Sequence, residues 1–191
     1  SKSDSNARSV YVLDVYFDAK TKKASVKDRL VEVDEAIPED AKTLEVVNYW
    51  KEKSFGGFRK AGINPDRVLG KAPVDLDGLA SSIRNKPNAL TEIIARGMLD
   101  AGSGAGAEVA YYVAGILRLD DVIPKGSDVV VYDVLRALPF EFKLYTVKMT
   151  GAELEKIFNA GQARKGTGAY VLAGGVAWEQ EKNSWSIGGS P

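Results

Sequence analysis

Residues 129–158 constrain the fold most, because three local signals follow one another there. An apolar periodic segment, residues 132–138, ends at Pro139, which cannot continue a helix and favours an extended residue before it. Polar and apolar side chains then alternate over residues 142–149, the pattern of a β-strand. Residues 150–153 have the form of a capping box, which predicts the start of a helix. A strand followed directly by a capped helix is therefore expected here.

The N-terminal part of the chain predicts a β-hairpin followed by a helix. Residues 10–17 and 24–33 alternate partially and flank a turn-like polar segment. A lone hairpin is marginal in water, so we expect it to be the edge of something larger. Residues 38–40 predict a helix with acidic residues in its first turn. The sequence FGGF at residues 55–58 predicts that this helix is interrupted or ends there.

The remainder of the chain mixes strand and helix patterns. Asn88 is the predicted N-cap of a helix that ends at Gly102. Further strands are predicted at residues 67–74, 109–113, 169–173, 176–180 and 184–187. Strands and helices do not alternate strictly, which favours the α+β class, with a mixed sheet and helices packed on it.

Composition excludes several classes of function. Lys plus Arg and Asp plus Glu both number 26, so the net charge of zero gives no general attraction to nucleic acid or acidic membranes. No apolar run approaches the roughly 20 residues needed to span a bilayer. The absence of Cys excludes disulfides and thiolate chemistry, and the absence of His excludes Ser-His-Asp triads and histidine metal sites. Any metal in this chain would need oxygen ligands alone.

Candidate binding residues are few. Arg84, Arg118 and Arg136 could bind anions, although a single arginine is usually a surface charge and only two converging arginines would clamp a phosphate or carboxylate. Phe140 lies in the turn between two predicted elements, where a large aromatic is either a plug on the core or a platform for a ligand. The sequence KGT at residues 165–167 lacks the glycine spacing of a phosphate-binding loop and is predicted to be part of a polar loop.

Two motifs in tandem carry a resemblance to a known family: YDVLRALPF at residues 132–140 and MTGAEL at residues 149–154. Supporting matches are the LDG turn followed by Arg84, the LTEIIARGM helix, Arg118 after a strand, and the IPKG turn. With these motifs the chain, from about Gly70 onward, resembles the C-terminal substrate-binding domain of the 5′-nucleotidase family. Members of this family are two-domain metallophosphoesterases, often exported.

The resemblance implies a domain organisation. Residues 1–37 correspond to the end strands of an incomplete metallophosphatase domain, residues 38–65 to a connecting helix and linker, and residues 66–191 to a substrate-binding domain truncated at its C-terminus. The family's metal ligands lie in histidine-containing motifs upstream, so the divalent metal pair is expected in the missing upstream domain and no cofactor in this chain. The parent protein is expected to be a hydrolase of nucleotide catabolism, whereas this chain alone is not catalytic.

The resemblance also implies which residues bind the substrate. Arg84, Gly115, Arg118 and Phe140 match family positions that hold the nucleoside or nucleotide, with Phe140 as a stacking aromatic. No catalytic residue and no metal ligand are expected in this chain. The implied partners are a nucleoside or nucleotide-like small molecule and the upstream metallophosphatase domain, with no nucleic acid and no membrane span. The implied location is secreted, periplasmic or at the cell surface.

Departures from the family pattern keep two functions open. Val113 stands in place of an Asn and Ile116 in place of a Gly, and the second stacking aromatic of the family lies beyond Pro191. The first hypothesis is a substrate-recognition part of a nucleotide hydrolase with altered specificity. The alternative is a degenerate pocket filled by Ile116, in a structural or protein-interaction module that binds no nucleotide.

Overall fold

The structure, a computed structural model, describes residues 7–34, 36–179 and 184–187. It divides into two compact units, Ser1–Gly57 and Phe58–Pro191. The domain boundaries expected at residues 37/38 and 65/66 stay a prediction. Gln180, the last residue of a predicted strand, lies outside the described residues.

The predicted hairpin of the first unit is confirmed. Strands β1 (Ser9–Asp18) and β2 (Lys23–Glu32) pair antiparallel, with Val15 opposite Val26. Asp18 closes the turn by accepting hydrogen bonds from the Thr21 side chain and from the backbone N–H groups of Lys20 and Thr21. These bonds hold the pKa of Asp18 below its usual value because they stabilise the ionised carboxylate.

The helix that follows, α1 (Ala41–Lys60), differs from the prediction at both ends. Residues 38–40 precede it, and Asp40 acts as a cap whose carboxylate accepts hydrogen bonds of 2.8 Å from the backbone N–H and the hydroxyl of Thr43. The helix also continues through Gly56 and Gly57, so the predicted interruption is wrong. A glycine in a helix interior costs only about 1 kcal/mol relative to Ala. That cost does not end a helix whose Phe55 side chain is buried.

The second unit consists of short strands and helices in mixed order, which confirms the α+β class. Its strands pair antiparallel: residues 68–71 with 128–130, 76–77 with 122–123, 110–113 with 171–174, and 176–179 with 184–187. Residues Ser103–Ala105 and Ala114–Ile116 form 3-10 turns. The elements are β3 (Val68–Lys71), β4 (Leu76–Asp77), α2 (Ala80–Ile83), α3 (Ala89–Gly102), β5 (Ala110–Val113), β6 (Val122–Ile123), β7 (Asp128–Val130), α4 (Val131–Ala137), α5 (Gly151–Gln162), β8 (Val171–Gly174), β9 (Val176–Glu179) and β10 (Ser184–Ile187).

Both predicted helix caps are confirmed. The Asn88 side chain accepts the backbone N–H of Thr91 at 3.1 Å, and the Thr91 hydroxyl accepts the backbone N–H of Asn88 at 2.8 Å. At α5, the Thr150 hydroxyl accepts the backbone N–H of Glu153 at 3.3 Å, and the Glu153 carboxylate accepts the backbone N–H of Thr150 at 2.8 Å. Each box satisfies two backbone donors that the helix itself leaves free.

The core of the second unit consists of two apolar clusters joined by α3. Leu90, near the start of α3, belongs to the first cluster and Ala95 to the second, while Ile94 packs against both. The buried residues of the first cluster are Ala72, Leu76, Ile83, Leu90, Leu117, Leu119, Ile123 and Ala137. Those of the second are Ala95, Tyr112, Ala114, Tyr170 and Leu172. Helix α3 therefore contributes side chains to both clusters.

The strand predicted for residues 142–149 is not formed. Residues 141–149 contain no turn or bend, and they belong to no strand of the described chain. Within the described ranges, no backbone–backbone hydrogen bond joins them to another segment. The alternating pattern correctly describes a chain with two different faces, but a strand also needs a neighbour to pair with. The capping box that follows is formed nevertheless, because it depends only on local residues.

Candidate functional site

The LDG turn at residues 76–78 precedes the short helix that positions Arg84, the first predicted site residue. The backbone N–H of Gly78 donates to the carbonyl of Asp121 at 2.9 Å, and a Cβ atom at Gly78 would lie 2.8 Å from the Leu119 side chain. Only glycine fits this approach, which explains the third residue of the turn. Helix α2 follows at once, and Arg84 forms its C-cap.

Arg84 is half-buried, and its Nε atom is buried without a hydrogen-bond partner among the described residues. An unsatisfied buried donor costs about 1–3 kcal/mol, and more when it is charged, so this guanidinium is suited to an acceptor from a bound molecule. The backbone carbonyl of Arg84 accepts the N–H of Gly166 at 2.7 Å. Arg84 is thereby connected to the loop that follows α5.

The same loop contacts the 3-10 turn Ala114–Ile116. The N–H of Gly115 donates to the carbonyl of Gly168 at 2.8 Å, and the N–H of Ala114 donates to the carbonyl of Tyr170 at 2.8 Å. A Cβ atom at Gly115 would lie 2.9 Å from the Gly168 oxygen. Gly115 is therefore required by a close approach of two backbones. The sequence predicted only a polar loop here, and the pair Gly166 and Gly168 was the available signal for the contact.

Arg118, which follows this turn along the chain, contacts Phe140. The backbone N–H of Arg118 donates to the carbonyl of Ala137 at 2.8 Å, which joins the end of the turn region to the end of α4. The guanidinium carbon of Arg118 then lies 5.9 Å from the centre of the Phe140 ring, within the range of a cation–π contact. The ring of Phe140 is 50% exposed and touches Phe142 edge-on at 5.7 Å. Phe140 is therefore not a core plug.

Four elements thus come together: the end of α2, the loop after α5, the turn Ala114–Ile116 and the end of α4. Arg118 also approaches Gly115, with its Nη1 atom 3.5 Å from the Gly115 carbonyl. Arg118 therefore contacts both Gly115 and Phe140. The backbone of Arg84 is linked to the same turn through the loop, by the hydrogen bonds at Gly166 and Gly168. The Nη2 atom of the third arginine, Arg136, lies 3.5 Å from both Asp121 and Asp133, while its Nε atom, like that of Arg84, has no hydrogen-bond partner among the described residues.

The two residues that depart from the family pattern lie next to an apolar cavity. Ile116 is partly buried, packs against the second core cluster and lines a cavity of about 830 Å³, as does Val113. Arg84, Arg118 and Phe140 are not part of the lining of that cavity. The Ile116 side chain is accommodated by the core and the cavity, whereas the exposed Phe140 ring lies outside both.

The described ranges contain no group of three or more Asp or Glu side chains placed to hold a metal ion. In the same ranges, no helix is both long and apolar enough to cross a bilayer.

Residues 68–184 match the family described as "5'-nucleotidase, C-terminal domain". The chain is 29% identical over 171 residues to the trifunctional nucleotide phosphoesterase protein YfkN of Bacillus subtilis (strain 168), a match that covers 87% of this chain and 11% of that protein. Its fold is similar to that of the 5'-nucleotidase precursor from Thermus thermophilus, with a TM-score of 0.65, 25% identity, and coverage of 94% of this chain and 34% of the other. The resemblance seen in the sequence is confirmed, and the chain belongs to the family of 5'-nucleotidase C-terminal domains.

Proposed function

We propose that this chain is the nucleotide-recognition part of a 5′-nucleotidase-like phosphoester hydrolase. The observation that carries the proposal is the exposed Phe140 ring beside the Arg118 guanidinium, 5.9 Å from ring centre to guanidinium carbon. An aromatic face and a cation side by side match the two chemical parts of a nucleotide, a flat base and an anionic phosphate.

The roles of the residues follow from their chemistry. The base would stack on the free face of Phe140, an interaction worth roughly 1–3 kcal/mol at other base-stacking sites. Arg118 and the unsatisfied Nε donor of Arg84 would bind the anionic or polar groups of the substrate. Gly115 would keep the backbone of its turn close to Gly168, so that the loop borders the site without a side chain between them.

Hydrolysis itself is assigned to the rest of the parent protein. The chain contains no histidine, and the proposal assigns a divalent metal pair to an upstream metallophosphatase domain of the parent protein. The two similar proteins are named a nucleotide phosphoesterase and a 5'-nucleotidase precursor, and this chain spans 11% and 34% of their lengths. The role of this chain would be to hold the nucleotide so that its phosphoester reaches that metal pair. A secreted, periplasmic or cell-surface location is part of the same proposal.

The alternative of a degenerate, non-binding module depends on Ile116 filling the pocket. Ile116 instead packs against the second core cluster and lines the apolar cavity. This placement leaves the alternative without its main argument, and no other observation favours it.

The test is a calorimetric titration of the chain with adenosine and with AMP. We expect millimolar or tighter dissociation constants for AMP, and a loss of roughly 5- to 150-fold for both ligands in Phe140→Ala, as removal of one base-stacking ring predicts. Tyr145→Ala is the matched control, because it removes another exposed aromatic ring from the same region without touching Arg118. Its affinities should equal those of the parent chain.

Two results would contradict the proposal. The first is the absence of heat with either ligand in a chain that is shown by circular dichroism to be folded. The second is binding that is equally weakened by Phe140→Ala and Tyr145→Ala, which would indicate nonspecific contact with exposed aromatic rings.

A further inference from the structure

The segments that meet at the candidate site contain cations but no acidic residues. Residues 79–91, 114–119, 134–140 and 156–170 include no Asp or Glu, although the whole chain has 26 acidic residues and a net charge of zero. The cations of these segments are Arg84, Lys86, Arg118, Arg136, Lys156, Arg164 and Lys165. Positive charge is therefore concentrated in the segments around the proposed nucleotide site.

Two of these segments form a basic patch, defined here as Arg84, Lys86, Arg164 and Lys165. The backbone carbonyl of Arg84 accepts the N–H of Gly166 at 2.7 Å, and a Cβ atom at Gly166 would lie 3.9 Å from the Asn85 side chain. Gly166 has a φ of 85°, which glycine adopts readily and which lets the loop approach Arg84. The cations of the two segments are therefore brought next to each other by a backbone contact.

The positive charges of the basic patch are not neutralised by the described part of the chain. Among the residues that the structure describes, none of its four members is in an ion pair. Three of them are exposed, and the buried Nε atom of the fourth, Arg84, has no hydrogen-bond partner in the same ranges. Like charges on adjacent segments repel each other, so a bound anion would be favourable there.

The end of helix α5 does not by itself account for Arg164 and Lys165. A cation near a helix C-terminus interacts favourably with the helix dipole and can bind the last carbonyl groups. Here the carbonyls of Asn159, Gly161 and Gln162 already accept backbone N–H groups of residues 163–165. The two side chains are therefore available for another acceptor.

We infer that the basic patch is a second anion-binding subsite, which takes the further phosphate groups of a phosphate chain. One phosphate group carries a charge of about −1.5 to −2 at pH 7, which Arg118 and Arg84 suffice to bind. Each further phosphate adds negative charge and acceptor oxygens, which match Lys86, Arg164 and Lys165. The inference rests on the proposed function for one point, that the chain belongs to a nucleoside di- or triphosphate.

An acidic segment of the parent protein is a less suitable occupant of the basic patch, because the patch includes Arg84. A segment that covered the patch permanently would also cover the arginine that the proposed function assigns to the substrate. A phosphate chain enters and leaves together with the nucleotide, so one ligand satisfies both sets of contacts.

The first test is a calorimetric titration of the chain with inorganic tripolyphosphate, which has no base to stack on Phe140. We expect binding that Arg164→Gln/Lys165→Gln weakens about 10- to 100-fold, as loss of hydrogen bonds to a charged group predicts. Lys20→Gln/Lys22→Gln removes the same two charges from the hairpin turn, and its affinity should equal that of the parent chain. Phe140→Ala should likewise bind tripolyphosphate as the parent does. All four substituted positions are exposed, so circular dichroism should show folded chains.

The second test distinguishes the two sources of a phosphate chain, by titration with AMP, ADP and ATP. If the chain belongs to the nucleotide, affinity should rise from AMP to ATP by about tenfold or more, and Arg164→Gln/Lys165→Gln should remove this advantage of ATP. If the subsite takes a free phosphate chain instead, tripolyphosphate should bind to the basic patch while ATP has no advantage over AMP.

The inference would be overturned if the folded chain did not bind tripolyphosphate. Equal losses in Arg164→Gln/Lys165→Gln and Lys20→Gln/Lys22→Gln would also reject it, because they would indicate a general effect of charge. An advantage of ATP that persists in Arg164→Gln/Lys165→Gln would place the further phosphates outside the basic patch. Binding of tripolyphosphate without binding of AMP or adenosine would support the subsite and reject the nucleotide-recognition role, so the two failures are distinguishable.

Discussion

The guanidinium carbon of Arg118 lies 5.9 Å from the centre of the Phe140 ring, although two strands and helix α4 separate the two residues along the chain. The contact is held by the backbone hydrogen bond from Arg118 to Ala137, two residues before Pro139. Pro139 ends the helix, and Phe140 emerges directly after it. The two residues that define the candidate site are thus positioned by backbone geometry and leave their side chains available to a ligand.

Arg118→Gln should separate recognition of the phosphate from recognition of the base. We expect the affinity for AMP and for ribose 5-phosphate to fall about 10- to 100-fold, because a hydrogen bond to a charged group is worth about 1.5–3 kcal/mol. Adenosine, which has no phosphate, should lose much less. Lys156→Gln removes the same charge from helix α5 and serves as the control in the same calorimetric titration. Equal losses for adenosine and AMP would contradict a phosphate role for Arg118.

Gly115→Ala should destabilise the fold and weaken the site together. The new Cβ atom would lie 2.9 Å from the Gly168 oxygen, so the two backbones must separate, at a cost of about 1–3 kcal/mol typical of overpacking. Gly97→Ala is a control with the opposite expectation. Gly97 lies within α3 with nothing within 4 Å of the added atom, so alanine should stabilise by about 0.5–1 kcal/mol. Urea denaturation of both variants measures the change in the free energy of unfolding. A stabilising effect of Gly115→Ala, as expected for Gly97→Ala, would contradict the close approach at Gly115.

Glu153 should make stability depend on pH in the acid range. Its carboxylate accepts hydrogen bonds from the backbone N–H of Thr150 and, with a smaller effect, from the Thr150 hydroxyl. Both bonds lower the pKa of Glu153 below its usual value of 4.5. The unfolded chain therefore binds a proton at a higher pH than the folded chain does. The resulting stabilisation is present above the usual value and is lost as pH falls through the lowered pKa of the folded state.

Denaturation of the parent chain and of Glu153→Gln across pH 2–7 tests this expectation. The parent should be the more stable of the two at neutral pH, and the difference should vanish at the acid end. Glu155→Gln removes the same charge from α5 without touching the capping box and serves as the control for the loss of a negative charge. Parallel curves for Glu153→Gln would show that the box does not favour the ionised carboxylate.

Tyr112 should make stability fall as pH rises in the alkaline range, whereas the contribution of Glu153 is lost as pH falls. Its hydroxyl donates to the Thr91 carbonyl at 2.9 Å, and burial raises the pKa of Tyr112 above its usual value of 10.0 because the charged phenolate is disfavoured there. The unfolded chain loses this proton first as pH rises. The stabilisation is therefore complete below pH 10 and is lost progressively above it.

Tyr112→Phe isolates this contribution. At pH 8 the variant should be about 1 kcal/mol less stable, because the hydrogen bond to Thr91 is missing. Above pH 10 the deficit should shrink, at up to about 1.4 kcal/mol for each pH unit, because only the parent chain has this proton to lose on unfolding. The other tyrosines are common to both chains and cancel in the comparison. A constant deficit from pH 8 to 11 would contradict the prediction.

Local signals in the sequence predicted the features that depend on neighbours along the chain. The capping residues Asn88 and Thr150 form the predicted boxes, because the donors and acceptors of a box lie within one helical turn. The hairpin of β1 and β2 is also as predicted, since its two strands are joined by a short turn. The family motifs around Phe140 and Thr150 belong to this class and identified the family without a structure.

Features that depend on distant partners were decided by the tertiary structure alone. Alternation over residues 142–149 predicted a strand, but pairing requires a second segment, and the described chain supplies none. Gly56 and Gly57 predicted a break in α1, which the buried Phe55 side chain outweighs. The approach of Gly115 to Gly168 and of Arg118 to Phe140 could not be predicted from spacing. Sequence periodicity determines which side of a segment is apolar and which is polar. Backbone hydrogen bonding and packing between distant segments determine which other segment each side contacts.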